Sequence, residues 1–203
     1  MAAAASATKG AAQPDITGRE GMRAFKRRVI LDAARRVFAD AGMAGLSMRE
    51  IATAAACTTG AIYPLFAGRD DILSALLEEA LLPLPAELGQ AARIATGPAD
   101  RLKRAALAWH GYFAVRPLET ALLRDLPDPA GAGLRAALDA SLAPLSRAIA
   151  ETGGLSAAMA ARETAGLFAL LLGLLLRPPP LGQTADAVLA HHLDALIARL
   201  QWE

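Results

Sequence analysis

One cysteine, three histidines and nine aromatic side chains are all that 203 residues supply. A lone Cys57 excludes a disulfide framework and a cysteine-based zinc site. His110, His191 and His192 are too few for most metal-ligand or triad arrangements. Val and Ile together number 12, whereas strands need β-branched and aromatic residues to cover a pleated surface. Long hydrophobic runs are missing too. The most apolar stretch, Thr164 to Leu176, is closed by Glu163 and Arg177 after thirteen residues, short of the ~20 that span a bilayer. Met1 to Gly18 is rich in small residues but lacks the apolar block of a signal peptide. These absences predict a cytoplasmic protein with no metal, no cofactor and no membrane partner.

What is abundant points one way. Ala (50) and Leu (33) dominate, and with Arg and Glu they are the better helix formers. The expected fold is all-α, in a chain long enough for one or two domains. The net charge of +1 conceals a division: residues 1–69 carry +5 and residues 70–203 carry −4. A basic segment of this kind either meets a polyanion or simply holds solvated arginines on a helix surface.

Along the chain, residues 1 to about 20 show no periodicity and read as a disordered tail. A helix follows from Arg19 or Met22 to Ala41, with Gly42 as a natural stop. Ser47-Met48-Arg49-Glu50 is a capping-box pattern opening a short helix to about Ala55. Thr58 is placed to cap a third helix reaching Tyr63 or Phe66. Asp70 and Asp71 open a fourth, whose end is forced by Pro83 and Pro85. Beyond residue 90, helices are expected over about 98–116, 117–126, 134–152 (with a possible bend at Pro144), 156–176 and 184–201, with a loop at Pro127-Asp128-Pro129. No internal repeat is present.

Three short helices with a cap and a turn make a helix-turn-helix on spacing alone. The residues go further. Ile30-Leu31-Asp32-Ala33-Ala34-Arg35-Arg36-Val37-Phe38-Ala39-Asp40-Ala41-Gly42 resembles the opening helix of the TetR family of bacterial transcriptional regulators. Ser47-Met48-Arg49-Glu50-Ile51-Ala52 resembles that family's second helix. Gly60-Ala61-Ile62-Tyr63, Phe66 and Arg69-Asp70-Asp71-Ile72-Leu73 resemble its recognition helix and the start of its fourth. The resemblance covers about residues 25–80. It implies a homodimer that binds a palindromic operator through an N-terminal three-helix domain (21–68), after a tail (1–20). It also implies a larger helical ligand-binding and dimerisation domain (69–203).

At the DNA, Thr58 and Thr59 start the recognition helix, where hydroxyls and free amides favour phosphate or base-edge contacts. Gly60 permits close approach of the backbone, and the Tyr63 phenol suits a phosphate. Ser47, Arg49 and Arg69 would position the backbone rather than read bases. Arg28, with Arg19 and Arg23, would add salt-dependent affinity. Ser47 serves equally as a cap alone and Arg49 as a solvated charge, while Ile62 and Phe66 read as core. Two departures from the family stand out: Thr59 sits where a lysine is common, and Pro64-Leu65 replaces an aromatic and a histidine. Pro64 removes a backbone donor and should shorten this helix, leaving a thin basic face.

In the remainder, Trp109, His110, Phe113, Leu122 and Phe168 are the candidate lining of an effector pocket for a small, neutral, apolar or aromatic molecule. Trp109 and Phe113 are open between pocket wall and ordinary core. His110 is open between ligand contact and a hydrogen-bonded histidine. Gly166, Leu170 and Gly173, with Ala165, Ala169 and Leu174, give small and apolar residues at helical spacing. Leu189, Leu193, Leu196, Ile197 and Leu200 form a stripe on the last helix. Both sets suit a two-fold, four-helix dimer interface, or else the subunit's own core. The favoured function is a ligand-responsive regulator, most readily a repressor, with no catalytic residue. The alternative is a helical carrier or enzyme in which His110 works with Glu119 or Asp125. An amphipathic membrane-surface or scaffold protein is a third class, disfavoured by the charges within the apolar stretch.

Overall fold

The computed structural model describes residues 18–125, 132–177, 179 and 182–202, and among these every regular element is a helix. Helix α1 (Gly18–Gly45) starts earlier than the sequence suggests, with Glu20 in its first turn at the positive end of the dipole. Gly18, Arg19 and Glu20 are therefore helical and not part of a tail. Residues 1–17 lie outside the described residues. Gly42 interrupts the helix at φ 63°, the left-handed region that a residue without Cβ enters freely. Its periodic apolar side buries Ile30, Leu31, Ala33, Ala34 and Val37.

Helix α2 (Met48–Ala54) is capped by Ser47, whose Oγ accepts from the Glu50 amide at 3.1 Å. Only half of the expected box forms, because the Ser47 amide donates to the Gly45 carbonyl at 2.8 Å. Helix α3 (Thr59–Ile62) is a single turn. Pro64 cannot extend the ladder, and the Leu65 and Phe66 amides both close back onto the Ile62 carbonyl. Helix α4 (Arg69–Leu81) opens where Asp71 accepts from the Ala67 amide at 3.0 Å.

Helix α5 (Leu84–Ala91), followed by a 3-10 turn over Ala92–Ile94, has no counterpart in the sequence reading. Pro83 does end α4. Pro85, however, falls in the first turn of α5, where a missing amide costs nothing. The later helices follow the expected pattern: α6 (Pro98–Ala114), α7 (Pro117–Arg124), α8 (Ala132–Gly153), α9 (Ala157–Leu176) and α10 (Ala185–Leu200). Helix α8 runs through Pro144 as one helix. Ser156 caps α9 and Thr184 caps α10 through side-chain oxygens. The Pro127-Asp128-Pro129 loop lies outside the described residues.

Helix α6 is the axle of the C-terminal helices, touching α5, α7, α8, α9 and α10. Its Leu102, Ala106, Trp109 and Phe113 are wholly buried. Exposed ion pairs tie its rim to its neighbours, Arg101 to Glu151 of α8 and Lys103 to Asp194 of α10. Such pairs are worth at most about 1 kcal/mol each, so apolar burial carries the fold. Towards the N-terminal helices, α4 packs on both α1 and α8, while α7 touches α1. One continuous apolar core thus runs from Ile30 to Leu200.

Candidate nucleic-acid interface

The segment from Leu46 to Phe66 is anchored from within by Leu46, Ile51, Ile62 and Phe66, each at most 1% exposed. Its outer side is thereby turned to solvent. Ser47, Arg49, Thr58, Thr59, Gly60 and Tyr63 are all exposed. Thr58 precedes α3 in extended conformation, and its hydroxyl makes no capping bond. A Cβ placed on Gly60 would meet only the Thr58 Oγ1, at 3.8 Å, so that side of α3 is open. Arg49 has no side-chain partner among the described residues, and Tyr63 is 57% exposed. Between α2 and α3 the chain turns through Ala56, a non-glycine residue at φ 52°, followed by the exposed Cys57.

Two of the expected DNA-facing arginines have neighbours within the fold. Arg69 donates from Nε to the Leu46 carbonyl at 2.6 Å and from Nη2 to the Met43 carbonyl at 3.2 Å. It fastens the start of α4 to the α1–α2 junction with these two donors, while Nη1 lies 3.7 Å from the exposed Asp70 carboxylate. Arg28 lines a groove between α1 and α4 beside Glu78 and Glu79. Other arginines are likewise engaged. Arg27 lies 4.0 Å over the Phe66 ring and donates to the Leu65 carbonyl, and Arg36 donates to the Ala54 carbonyl at 2.9 Å. Arg35 bridges Asp32 and Glu79, joining α1 to α4. What remains without a side-chain partner among the described residues on this part of the chain is Arg19, Arg23, Lys26, Arg28 and Arg49. Lys26 went unremarked in the sequence reading, where nothing separates it from its basic neighbours.

Residues 30–76 match the domain described as bacterial regulatory proteins, tetR family. Residues 30–76 are thus a TetR-family DNA-binding domain. No curated protein matches it. Solved structures similar to it include a protein of unknown function from Rhodococcus sp. RHA1, 27% identical over 93% of this chain and 98% of that one, with a TM-score of 0.67. The TetR family transcriptional regulator PfmR from Thermus thermophilus is 19% identical over 84% of this chain and 97% of that one, at a TM-score of 0.59. The transcriptional regulator FadR from Bacillus subtilis, solved with stearoyl-CoA, is 18% identical over 84% and 97%, at 0.64. The chain is thus a DNA-binding transcriptional regulator, and its exposed α2–α3 surface is the family's helix-turn-helix.

Of the five pocket candidates, which lie beyond the TetR-family domain, Trp109 and Phe113 are fully buried, with ring centroids 4.6 Å apart. Leu122 is 3% exposed. These three are core in this conformation. Phe168 meets Trp109 edge-on at 5.6 Å and is half-buried, lining a cleft of about 560 Å³ between α8 and α9 with Leu142, Ser146 and Thr164. His110 is 5% exposed. Its Nδ1 lies 3.5 Å from the Asp186 carboxylate without an aligned hydrogen bond, and its Nε2 has no partner among the described residues. Neither Glu119 nor Asp125 is the partner of His110. Asp125 forks onto Arg124, which holds its carboxyl below the usual carboxylate range. Trp109 Nε1 is also buried without an acceptor among the described residues. Nearby, the Tyr112 hydroxyl donates to the Ala80 carbonyl at 2.6 Å, and burial pushes its ionisation up. Among the described residues no group of three or more His, Cys, Asp or Glu side chains is placed to hold a metal.

The expected dimer residues separate. Leu189, Leu193 and Ile197 of α10 point into the chain's own core, at 0%, 0% and 8% exposure. They have no surface left for a partner, which corrects their assignment; Leu196 is half-buried. On α9, by contrast, Gly166 and Gly173 are exposed, with nothing within 4 Å of where a Cβ would stand, and Leu170 is half-buried. Helix α9 is 20 residues long with a mean hydropathy of 1.6, long and apolar enough by composition to cross a membrane. The uncharged stretch alone, Thr164 to Leu176, understated it. The helix contains Arg162 and Glu163, and Glu163 is gripped by Arg199 of α10.

Proposed function

We propose that this chain is a homodimeric, effector-released repressor that binds a two-fold operator. Residues 21–68 would form its DNA-binding domain, and residues 69–203 its effector-binding and dimerisation domain. The observation that carries this reading is the pairing at α3: Ile62 and Phe66 root the helix in the core while Thr58, Thr59, Gly60 and Tyr63 stand exposed, as does Arg49, which has no side-chain partner among the described residues. Thr58 and Thr59 supply hydroxyls and amides to base edges or phosphates, and Ser47 and Arg49 position the backbone. Two such surfaces must sit about 34 Å apart to enter successive major grooves.

Dimerisation would use the outer face of α9, around Gly166, Leu170 and Gly173, where small residues allow close approach. The effector would be a small, apolar or aromatic molecule entering beside Phe168. FadR from Bacillus subtilis is solved with stearoyl-CoA, whose acyl chain is apolar, and this agrees with the reading. Trp109 Nε1 and the His110 nitrogens support it as well: buried polar atoms without partners are costly, and a bound acceptor would relieve that cost. The protein would act in the cytoplasm without catalytic turnover. A footprint on the upstream region of its own gene tests the proposal. Protection of a palindrome, lost on adding effector, is expected; no protection at low salt would overturn it.

A further inference from the structure

The charge of the N-terminal helices does not sit on α3. Helix α3 carries no cation, and Arg27, Arg35, Arg36 and Arg69 are occupied within the fold. Arg28 faces the α1–α4 groove and its two glutamates. The cations left together are Arg19, Arg23 and Lys26, on the first turns of α1. At 100° per residue these three fall within about 60° of one another, a single stripe along the helix. The stripe is on the recognition side, since Lys26 lines a small cleft together with Ala61 and Leu65 of the α3 region and Cys57 of the turn.

We infer that these first turns of α1 form an arm that grips DNA phosphates outside the half-site read by α2 and α3. The inference rests on the operator-binding reading and adds a second contact element to it. Three cations from Arg19 to Lys26 span about 10 Å at 1.5 Å per residue. One DNA strand presents a phosphate every 3.4 Å of axis, so the same length holds about three. The arm is held at a fixed angle to α3 at its base, where Arg27 stacks on Phe66 and donates to the Leu65 carbonyl. Phosphate contacts of this kind carry no base preference. They supply the affinity that a cation-free α3 lacks.

The test uses the full-length chain and a duplex recovered by selection from random sequence. The triple variant Arg19→Gln/Arg23→Gln/Lys26→Gln keeps helix-forming residues on an exposed face, and its circular dichroism melt should match that of the unaltered chain. With one arm on each subunit of the dimer, the slope of log affinity against log salt is expected to fall by roughly 5 in magnitude, with affinity near 0.1 M salt down on the order of 10⁵-fold. The hydroxyl-radical footprint should lose protection at its flanks while its centre persists. Arg28→Gln, in the α1–α4 groove, should leave slope and footprint unchanged. A triple variant with unchanged slope and flanks overturns the arm. Failure of the unaltered chain to select any duplex overturns the operator-binding reading instead.

Discussion

The Arg69 guanidinium donates through Nε to the Leu46 carbonyl at 2.6 Å, across 23 residues of sequence. Through Nη2 it also reaches the Met43 carbonyl. One side chain thus joins α4, the first helix of the larger part, to the loop that sets the tilt of α2. Arg69→Ala should lower unfolding free energy by about 1–3 kcal/mol, the usual worth of hydrogen bonds from a charged donor. It should leave the salt slope of DNA binding unaltered. Arg49→Ala should do the reverse, holding the denaturant midpoint while reducing that slope by about 2, one contact from each subunit of the dimer.

Ala56 at φ 52° carries a methyl group in a region that costs an L-residue about 1–2 kcal/mol. Ala56→Gly should raise stability by a few tenths to about 1 kcal/mol, since glycine's unfolded-state entropy offsets part of the relief. At Gly42, the same reasoning runs backward. Gly42→Ala should destabilise by about 1 kcal/mol although its Cβ would meet no atom within 4 Å. Urea titrations of both variants check the pair of signs.

Substitutions on the last two helices should part into two classes. Gly173→Arg, on the open side of α9, should give a folded monomer in sedimentation with operator affinity lost. Leu193→Ala removes a wholly buried side chain and should cost about 2–5 kcal/mol of folding stability.

Acid should weaken the fold gradually. The Thr96 amide and then the Arg104 guanidinium hold the Asp100 carboxyl below the usual range, and the Arg199 fork does the same for Glu163. The unfolded chain, with ordinary carboxyls, takes up these protons first as pH falls. Stability contributed above the ordinary carboxylate range is therefore lost as pH drops through the lowered folded values. A melting profile should decline from around pH 4 downward. Asp100→Asn with Glu163→Gln should flatten that limb.

The helical fold was legible because Ala and Leu periodicity, caps and glycine stops agree at most boundaries, as at Gly42, Ser47, Ser156 and Thr184. Helix α5 was not, since Pro85 reads as a breaker until its place in a first turn is known. The candidates Ser47, Arg49, Thr58, Thr59, Gly60 and Tyr63 are exposed on α2, α3 and the residues that flank them. Arginines were the weak point. Their number is visible in sequence, but whether a guanidinium reaches a carbonyl 23 residues away, as Arg69 does, depends on packing that no local pattern encodes. The α10 stripe failed for a related reason: Leu189 and Leu193 show the same spacing whether they face a partner or their own core.

The two tryptophans occupy opposite extremes, Trp109 fully enclosed beside Phe168 and Trp202 90% exposed after α10. The chain therefore contains two optical channels of its own. Iodide should silence Trp202 and spare Trp109, so a single unlabelled sample can report events at the interior cleft separately from those at the C-terminal rim.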